Sequence, residues 1–267
     1  MYPVELKKLI ARPRTWISIS LLAGLPILVA VFLRVTHIGP RPGEGPAFLS
    51  NVLNNGTLFP VAALALILPV FLPVAVSVMA GDAIAGEASA GTLRYLLTRP
   101  VGRTRILIIK LAVTITFIFL AVVIVAVTSF IVGASFFGVK PLPSVSGHTI
   151  AAQDATWRLV VSVLFVGVSM LGVAAIALLL STVTDSPLGA ALGALSALVI
   201  FQVLDLLDAA GALHPYLPTH YWLAFVDLFR YPILWHDVTR GLAIQGVWIV
   251  VMLAAAWAHF GTKDITS

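Results

Sequence analysis

The chain has 267 residues, of which 60% are hydrophobic and 10% charged, whereas soluble domains are about half apolar and a quarter charged. This composition excludes an ordinary soluble domain and predicts one membrane domain that spans residues 1–267. The absence of cysteine excludes disulfides, thiolate metal sites and a cysteine nucleophile. The net charge of +5 comes from basic residues at the ends of apolar runs, which is typical of topology signals and not of a nucleic-acid-binding surface.

The first predicted element is an amphipathic helix over residues 1–14. Leu6, Leu9 and Ile10 recur at helical spacing among charged residues. Pro13 is expected to end this helix, which we predict to lie at the membrane interface. The apolar run that follows is too long for a cleaved secretory signal and predicts an uncleaved first span.

Six apolar stretches have the length of about 20 residues that a membrane-spanning helix needs. They predict an all-α membrane protein with six transmembrane helices over approximately Trp16–Val35, Leu58–Ala80, Ile106–Phe137, Leu159–Leu180, Leu188–Leu207 and Leu242–Phe260. An even number of spans puts both termini on one side. Ten of the 16 Lys and Arg residues then fall on the side of the termini, which predicts that both termini are cytoplasmic. We expect the chain in a bacterial cell membrane.

The segment between the second and third spans, residues 81–105, is the least apolar part of the predicted cytoplasmic face. Thr92 can begin a short helix that Pro100 ends. Leu93, Leu96 and Leu97 would form the apolar face of that helix. Such a segment could rest on anionic lipid or bind a partner.

The order of residues in this segment resembles the signature of the type 2 ATP-binding cassette permeases. The resemblance lies in Glu87, Gly91-Thr92-Leu93-Arg94, Leu96-Leu97, Pro100, Arg103, Ile106 and Lys110. Gly102 departs from that family, which often has Ser there. The basic N-terminal helix, the six spans and an aromatic segment before the last span are also similar to that family, so the resemblance covers the whole chain.

The resemblance implies that this segment forms a coupling helix that docks in a separate ATPase subunit. The docking residues would be Glu87, Gly91, Thr92, Leu93, Arg94, Leu96 and Leu97. It also implies two copies of the ATPase, which would bind ATP and Mg, and a second permease chain that is identical or related. The chain lacks a Gly-x-x-x-x-Gly-Lys-Ser/Thr phosphate loop, so energy for transport would have to come from the partner. The expected function is export of a hydrophobic or amphiphilic substrate, such as a drug or lipid.

Several residues inside the predicted spans are candidates for a pathway or for helix packing. Pro69 and Pro73 leave backbone carbonyls without helical donors and predict a kink, which could shape a cavity wall or be purely structural. Gly189 and Gly193 predict a close helix contact, within the chain or in a dimer. Gln202 is costly in lipid and should face protein or water.

The segment 205–241 interleaves aromatic residues with His, Asp and Pro, and predicts short helices at the outer membrane interface. Asp205 and Asp208, with His214 or His220, leave open an intramembrane enzyme that works at the outer interface and uses them as acid and base. A non-transporting assembly or sensor subunit is a third possibility. The His spacing is unlike that of zinc sites and Gly-x-Ser-x-Gly is absent, so we expect no metal and no serine hydrolase.

Overall fold

The computed structural model describes residues 2–36, 55–92, 102–139, 142–143 and 149–263. Within these ranges the chain forms eight α-helices: α1 (Tyr2–Ala11), α2 (Pro13–Thr36), α3 (Phe59–Ile67), α4 (Phe71–Ser89), α5 (Arg103–Phe137), α6 (Ala152–Val183), α7 (Pro187–Leu206) and α8 (Trp235–Thr262). The only strands in the described part are β1 (Leu142–Pro143) and β2 (Thr149–Ile150), which form a small antiparallel pair.

Six of these helices, α2 and α4 to α8, are long and apolar enough to cross a membrane. The prediction of an all-helical chain with six potential spans is therefore confirmed, which indicates a multi-pass membrane protein. The helix of the N-terminal segment also forms and ends at Ala11, two residues before Pro13. Its interfacial position stays a prediction.

The second span differs from the prediction. The stretch Leu58–Ala80 is divided into α3 and α4 by a turn at residues 68–70, which contains Pro69. Proline lacks the backbone donor that a continuing helix needs. Since α3 is too short to span a membrane, the spanning helix is α4, which continues to Ser89 and so passes the expected start of the loop at Gly81.

The helices α4 and α6 form the centre of the bundle. In each of them 67% of the residues in an 18-residue apolar stretch are buried, against 17–39% in the corresponding stretches of the other four spans. The helix α4 packs mainly on α6 and α7, and α6 packs on α8. These two helices are therefore the most deeply buried of the six potential spans.

A serine of α6 is inserted into the backbone hydrogen-bond ladder of α4. The Ser181 hydroxyl accepts from the backbone N–H groups of Ile84 and Ala85 at 3.0 and 2.9 Å, and it donates to the Gly81 carbonyl at 2.7 Å. Gly81 also approaches α7 closely, since the place that its Cβ would occupy lies 3.0 Å from the backbone N of Ala191. A side chain inserted into a helical ladder is a recognised cause of local bending.

Polar contacts bring together the start of α5 and the ends of α6 and α8 at one end of the bundle, which we call the basic end. Arg103, at the start of α5, donates to the carbonyls of Phe260, Gly261 and Lys263 near the end of α8. Lys263 donates to the Thr182 carbonyl at the end of α6. The helix α1 is attached at this same end, because its Glu5 pairs with Lys110 in the first turns of α5. Its cytoplasmic placement stays a prediction.

At the opposite end, the chain between α7 and α8 forms three 3-10 helices: Asp208–Ala210, His214–Tyr216 and Trp222–Phe229. The last of these is fixed to α6 by Arg158, which is 5% exposed. The Arg158 guanidinium donates to the carbonyls of Leu228 and Arg230 at 2.7 and 3.1 Å. The short helices expected in this segment are thus present, as 3-10 helices.

We predict that Gly133→Ala destabilises the fold by about 1 to 3 kcal/mol. A Cβ at Gly133 of α5 would lie 2.5 Å from the Gly56 carbonyl oxygen and 2.7 Å from Cβ of Phe59. Thermal unfolding in detergent measures the effect. The control is Gly246→Ala in α8, where a Cβ would meet no atom within 4 Å. An equal melting temperature for both variants would show that the close contact is not needed.

Candidate functional site

Seven charged residues from three parts of the chain meet at the basic end, and we call them the charged cluster. They come from α1 and the start of α2, from the end of α4, and from α5: Glu5, Lys8, Arg12, Arg14, Asp82, Glu87 and Lys110. Asp82, Glu87 and Lys110 are each buried. Buried charges are tolerated where each has an opposite partner and further hydrogen bonds.

Glu87 is the centre of the charged cluster and is 7% exposed. Its Oε1 accepts from Lys8 Nζ at 3.2 Å and from Lys110 Nζ at 3.1 Å. Lys110 also donates to Glu5 Oε2 at 2.6 Å. Two carboxylates and two ammonium groups therefore form one connected network, which attaches α1 to both α4 and α5.

Asp82 forms a second attachment one turn deeper in α4. Its carboxylate accepts from the guanidinium groups of Arg12 and Arg14, the latter at 2.6 Å. These two arginines flank Pro13, where the chain passes from α1 into α2. The connection between α1 and the first span is thereby held against α4.

The charges of the charged cluster shift the pKa values of its groups on α1. Burial alone would raise the pKa of Glu5, but hydrogen bonds and charges from Lys110 and Lys8 outweigh it and hold the pKa below its ordinary value of 4.5. Burial alone would lower the pKa of Lys8, but Glu5 and Glu87 raise it above its ordinary value of 10.5. Both groups are therefore ionised over the neutral range.

The end of α4 has the geometry of a glycine C-cap. The N–H of Gly91 donates to the Ala88 carbonyl and the N–H of Thr92 to the Glu87 carbonyl, both at 3.0 Å. Gly91 has φ of +66°, in the left-handed region that favours glycine. The Thr92 hydroxyl lies 2.5 Å from Glu87 Oε2. The spacing Glu87, Gly91, Thr92 is thus explained as one cap that also satisfies the buried carboxylate.

The predicted docking residues divide into two groups. The structure brings Glu87, Gly91 and Thr92 together in this cap, where Glu87 is buried and not available on the surface. Leu93, Arg94, Leu96 and Leu97 lie outside the described residues. The sequence interpretation did not identify Glu5, Lys8 and Asp82 as partners in this site. The available signal was that charged residues next to apolar spans need opposite charges.

Three of the candidate pathway residues also meet. Because Pro73 has no backbone N–H, the Pro69 carbonyl lacks its usual helical donor. The Gln202 side chain of α7 fills this role, with Nε2 donating to that carbonyl at 2.9 Å. The predicted kink is present, and Gln202 faces protein. The contact links α7 to the break between α3 and α4.

The two candidate glycines of α7 do not form a common ridge within the described chain. A Cβ at Gly193 would lie 3.0 Å from Leu180 of α6, whereas the nearest atoms at Gly189 belong to Ser186 and Thr184 beside it. The buried face of α7 is made by Ala190, Ala191, Ala194 and Leu198. Alanines thus provide the contact that the sequence interpretation assigned to glycines.

At the opposite end of the bundle, two histidines and an aspartate meet beside the end of α7. His220 Nδ1 lies 2.5 Å from Asp205 Oδ1. The rings of His214 and His220 stack with centroids 5.8 Å apart. Asp208 is exposed in the 3-10 helix that follows α7. In the described ranges, no group of three or more His, Cys, Asp or Glu residues is arranged to hold a metal ion.

Residues 27–266 match the family described as "Protein of unknown function (DUF2705)". The match covers most of the chain, which therefore belongs to this family. No curated protein matches the chain.

We predict that α1 stays docked over the neutral pH range and is released at both extremes. The contribution of Glu5 is present above pH 4.5 and is lost as the pH falls through its lowered pKa. The contribution of Lys8 is present below pH 10.5 and is lost as the pH rises through its raised pKa. Spin labels attached at Lys7→Cys and Ser89→Cys would report the distance between α1 and the end of α4. Both positions are exposed, and the chain has no native cysteine.

The control label pair is Ser89→Cys with Thr262→Cys, which joins two spans at the basic end and omits α1. Its distance distribution should stay narrow where that of the first pair broadens. A first pair that stays narrow far below pH 4.5 and far above pH 10.5 would contradict the assigned role of these charges.

We predict that Gln202→Leu destabilises the wild-type chain by roughly 1 kcal/mol, because the Pro69 carbonyl loses its donor. In a Pro73→Ala background the same change should cost less, since residue 73 then has an N–H for that carbonyl. Thermal unfolding of the four chains in this double-mutant cycle measures the difference. Equal costs in both backgrounds would show that the hydrogen bond contributes nothing.

Proposed function

We propose that this member of a family of unknown function is the permease subunit of an ATP-binding cassette exporter. It would move a hydrophobic or amphiphilic substrate out of the cytoplasm, with energy from a separate ATPase subunit. The observation that supports this best is the cap formed by Glu87, Gly91 and Thr92. Through the ion pair between Glu87 and Lys8, this cap connects the residues that resemble the permease signature with the N-terminal helix α1.

The charged cluster provides a mechanical connection that suits such a subunit. A force applied at the segment after Thr92 would reach α4 directly along the chain, and one applied at α1 would reach α4 through the ion pairs of Glu87 and Asp82. Because α4 is central and packs on α6 and α7, its displacement would change the packing of the whole bundle. The inserted Ser181 hydroxyl in the ladder of α4 supports bending there.

The proposed complex contains two ATPase subunits, which bind ATP and Mg, and a second permease chain. The basic end would face the cytoplasm, as the distribution of Lys and Arg predicts. Large apolar side chains remain exposed on α7, at Leu188, Leu192, Val199 and Val203. This face is available to the second chain or to lipid.

The contact between Asp205 and His220 favours a second candidate, an enzyme that acts at the membrane interface. A carboxylate that orients an imidazole is a common arrangement for proton transfer. This candidate requires turnover by the isolated chain without any ATPase, and loss of that turnover in His220→Asn. An assembly or sensor subunit would instead bind the ATPase while substrate flux was missing.

We predict that the affinity-tagged chain, purified from membranes of its native host, carries an ATPase with a phosphate-loop motif and hydrolyses no ATP alone. In the reconstituted complex, Arg94→Ala should lower the stimulation of ATPase activity about tenfold, as expected for a coupling free energy of ~1–3 kcal/mol. Arg240→Ala, which removes the same charge from an exposed position in the first turns of α8, is the matched control.

Two results would overturn the proposal. One is that no such ATPase is recovered under conditions that preserve the membrane complex. The other is that Arg94→Ala binds and stimulates the ATPase as well as Arg240→Ala does.

A further inference from the structure

A groove runs between α5 and α6 in the half of the bundle away from the basic end. Its cavity volume is about 890 Å³. The two helices touch at its inner end, where a Cβ on Gly167 would lie 2.5 Å from the Phe119 ring. From this contact the groove extends along α5 past Phe130, as far as Val139 and Ala151.

The walls of the groove are apolar and open to one side. Val123 and Val127 of α5 are 43% and 51% exposed, and Val160 and Leu164 of α6 are 54% and 51% exposed. Val61 of α3 also lines the groove. Since α5 and α6 are both long and apolar enough to cross a membrane, the open side lies at the level of the bilayer hydrocarbon.

The polarity of the groove changes along its length. Among the described lining residues, only Thr57 and Thr156 have polar side chains, and both lie near the outer end, where α5 ends and α6 begins. The inner end is closed by Phe119. A ligand with an apolar chain and a polar end would match this arrangement in one orientation.

The dimensions fit one chain of a lipid. From Phe119 to Phe130 the helical rise gives roughly 16 Å, close to the ~15 Å of one leaflet of the hydrocarbon core. Beyond Phe130 the groove continues to Val139 and Ala151, which leaves room for the ester end of the lipid beyond the hydrocarbon.

We propose that this groove binds one acyl chain of a membrane phospholipid, taken laterally from the leaflet away from the basic end. The chain lies along α5 with its methyl end at Phe119 and its ester end beside Thr57 and Thr156. The proposal does not depend on the exporter function, because it rests only on the two spans and the groove between them.

The test uses the purified full-length chain in phosphatidylcholine vesicles that contain a small fraction of phosphatidylcholine with a photoreactive diazirine at mid-chain. After illumination, mass spectrometry locates the labelled residues. Labelling should concentrate on Val123, Val127, Val160 and Leu164. The comparison surface is the face of α7 at Val199, Ile200 and Val203, which is 49–57% exposed but is not part of the groove.

The variant Val160→Trp fills the groove and should lower labelling of α5 about tenfold, the effect of losing roughly two buried methylene contacts. The matched control is Ile200→Trp, at a similarly exposed position of α7. Leu164→Trp serves as the second groove variant if Val160→Trp does not fold.

Three outcomes would overturn the proposal. The first is equal labelling per residue in the groove and on the face of α7. The second is labelling of α5 that a folded groove variant leaves unchanged. The third is loss of groove labelling as the ratio of protein to lipid rises, which would assign the groove to a second copy of the chain.

Discussion

The burial of the Glu87 carboxylate is the constraint on which the basic end of this structure depends. A carboxylate that is 7% exposed at the end of a membrane-spanning helix has to be paired. Its partners come from α1 and α5, in Lys8 and Lys110, and its third hydrogen bond comes from Thr92. The docking of α1 on α4 and α5 and the cap that ends α4 both contribute to satisfying this one group.

The six spans were predictable because each apolar run is long enough to cross a bilayer, and the end of α1 because Pro13 lacks a backbone donor. The second span was placed wrongly, and the reason is physical. Asp82 and Glu87 look like loop residues when only their neighbours in the sequence are considered. Their cations come from elements far away in the chain, and this pairing allows α4 to continue to Ser89.

Among the candidate site residues, too, local contacts could be predicted from the sequence and contacts between distant elements could not. The pattern of Glu87, Gly91 and Thr92 could be read from the sequence because it belongs to one local cap. The donor for the Pro69 carbonyl could not be assigned, since Gln202 reaches it only through the packing of α7. The groove between α5 and α6 was equally hidden, because its walls look like any other lipid-facing surface in the sequence. The packed bundle therefore shows two features that the sequence alone does not: the charged cluster at the basic end and the apolar groove between α5 and α6 in the other half.

The most direct measurement is hydrogen exchange of residues 2–11 at pH 7 in the wild type, Glu87→Gln, Lys110→Met and the double variant. If Glu87 and Lys110 hold α1 through the buried network, each single change leaves that network of two carboxylates and two ammonium groups with one charge in excess, and exchange becomes faster. The double variant should then exchange more slowly than the two single effects combined would give, by a coupling of about 1 to 3 kcal/mol. Additive effects, or exchange that none of the changes alters, would contradict this account.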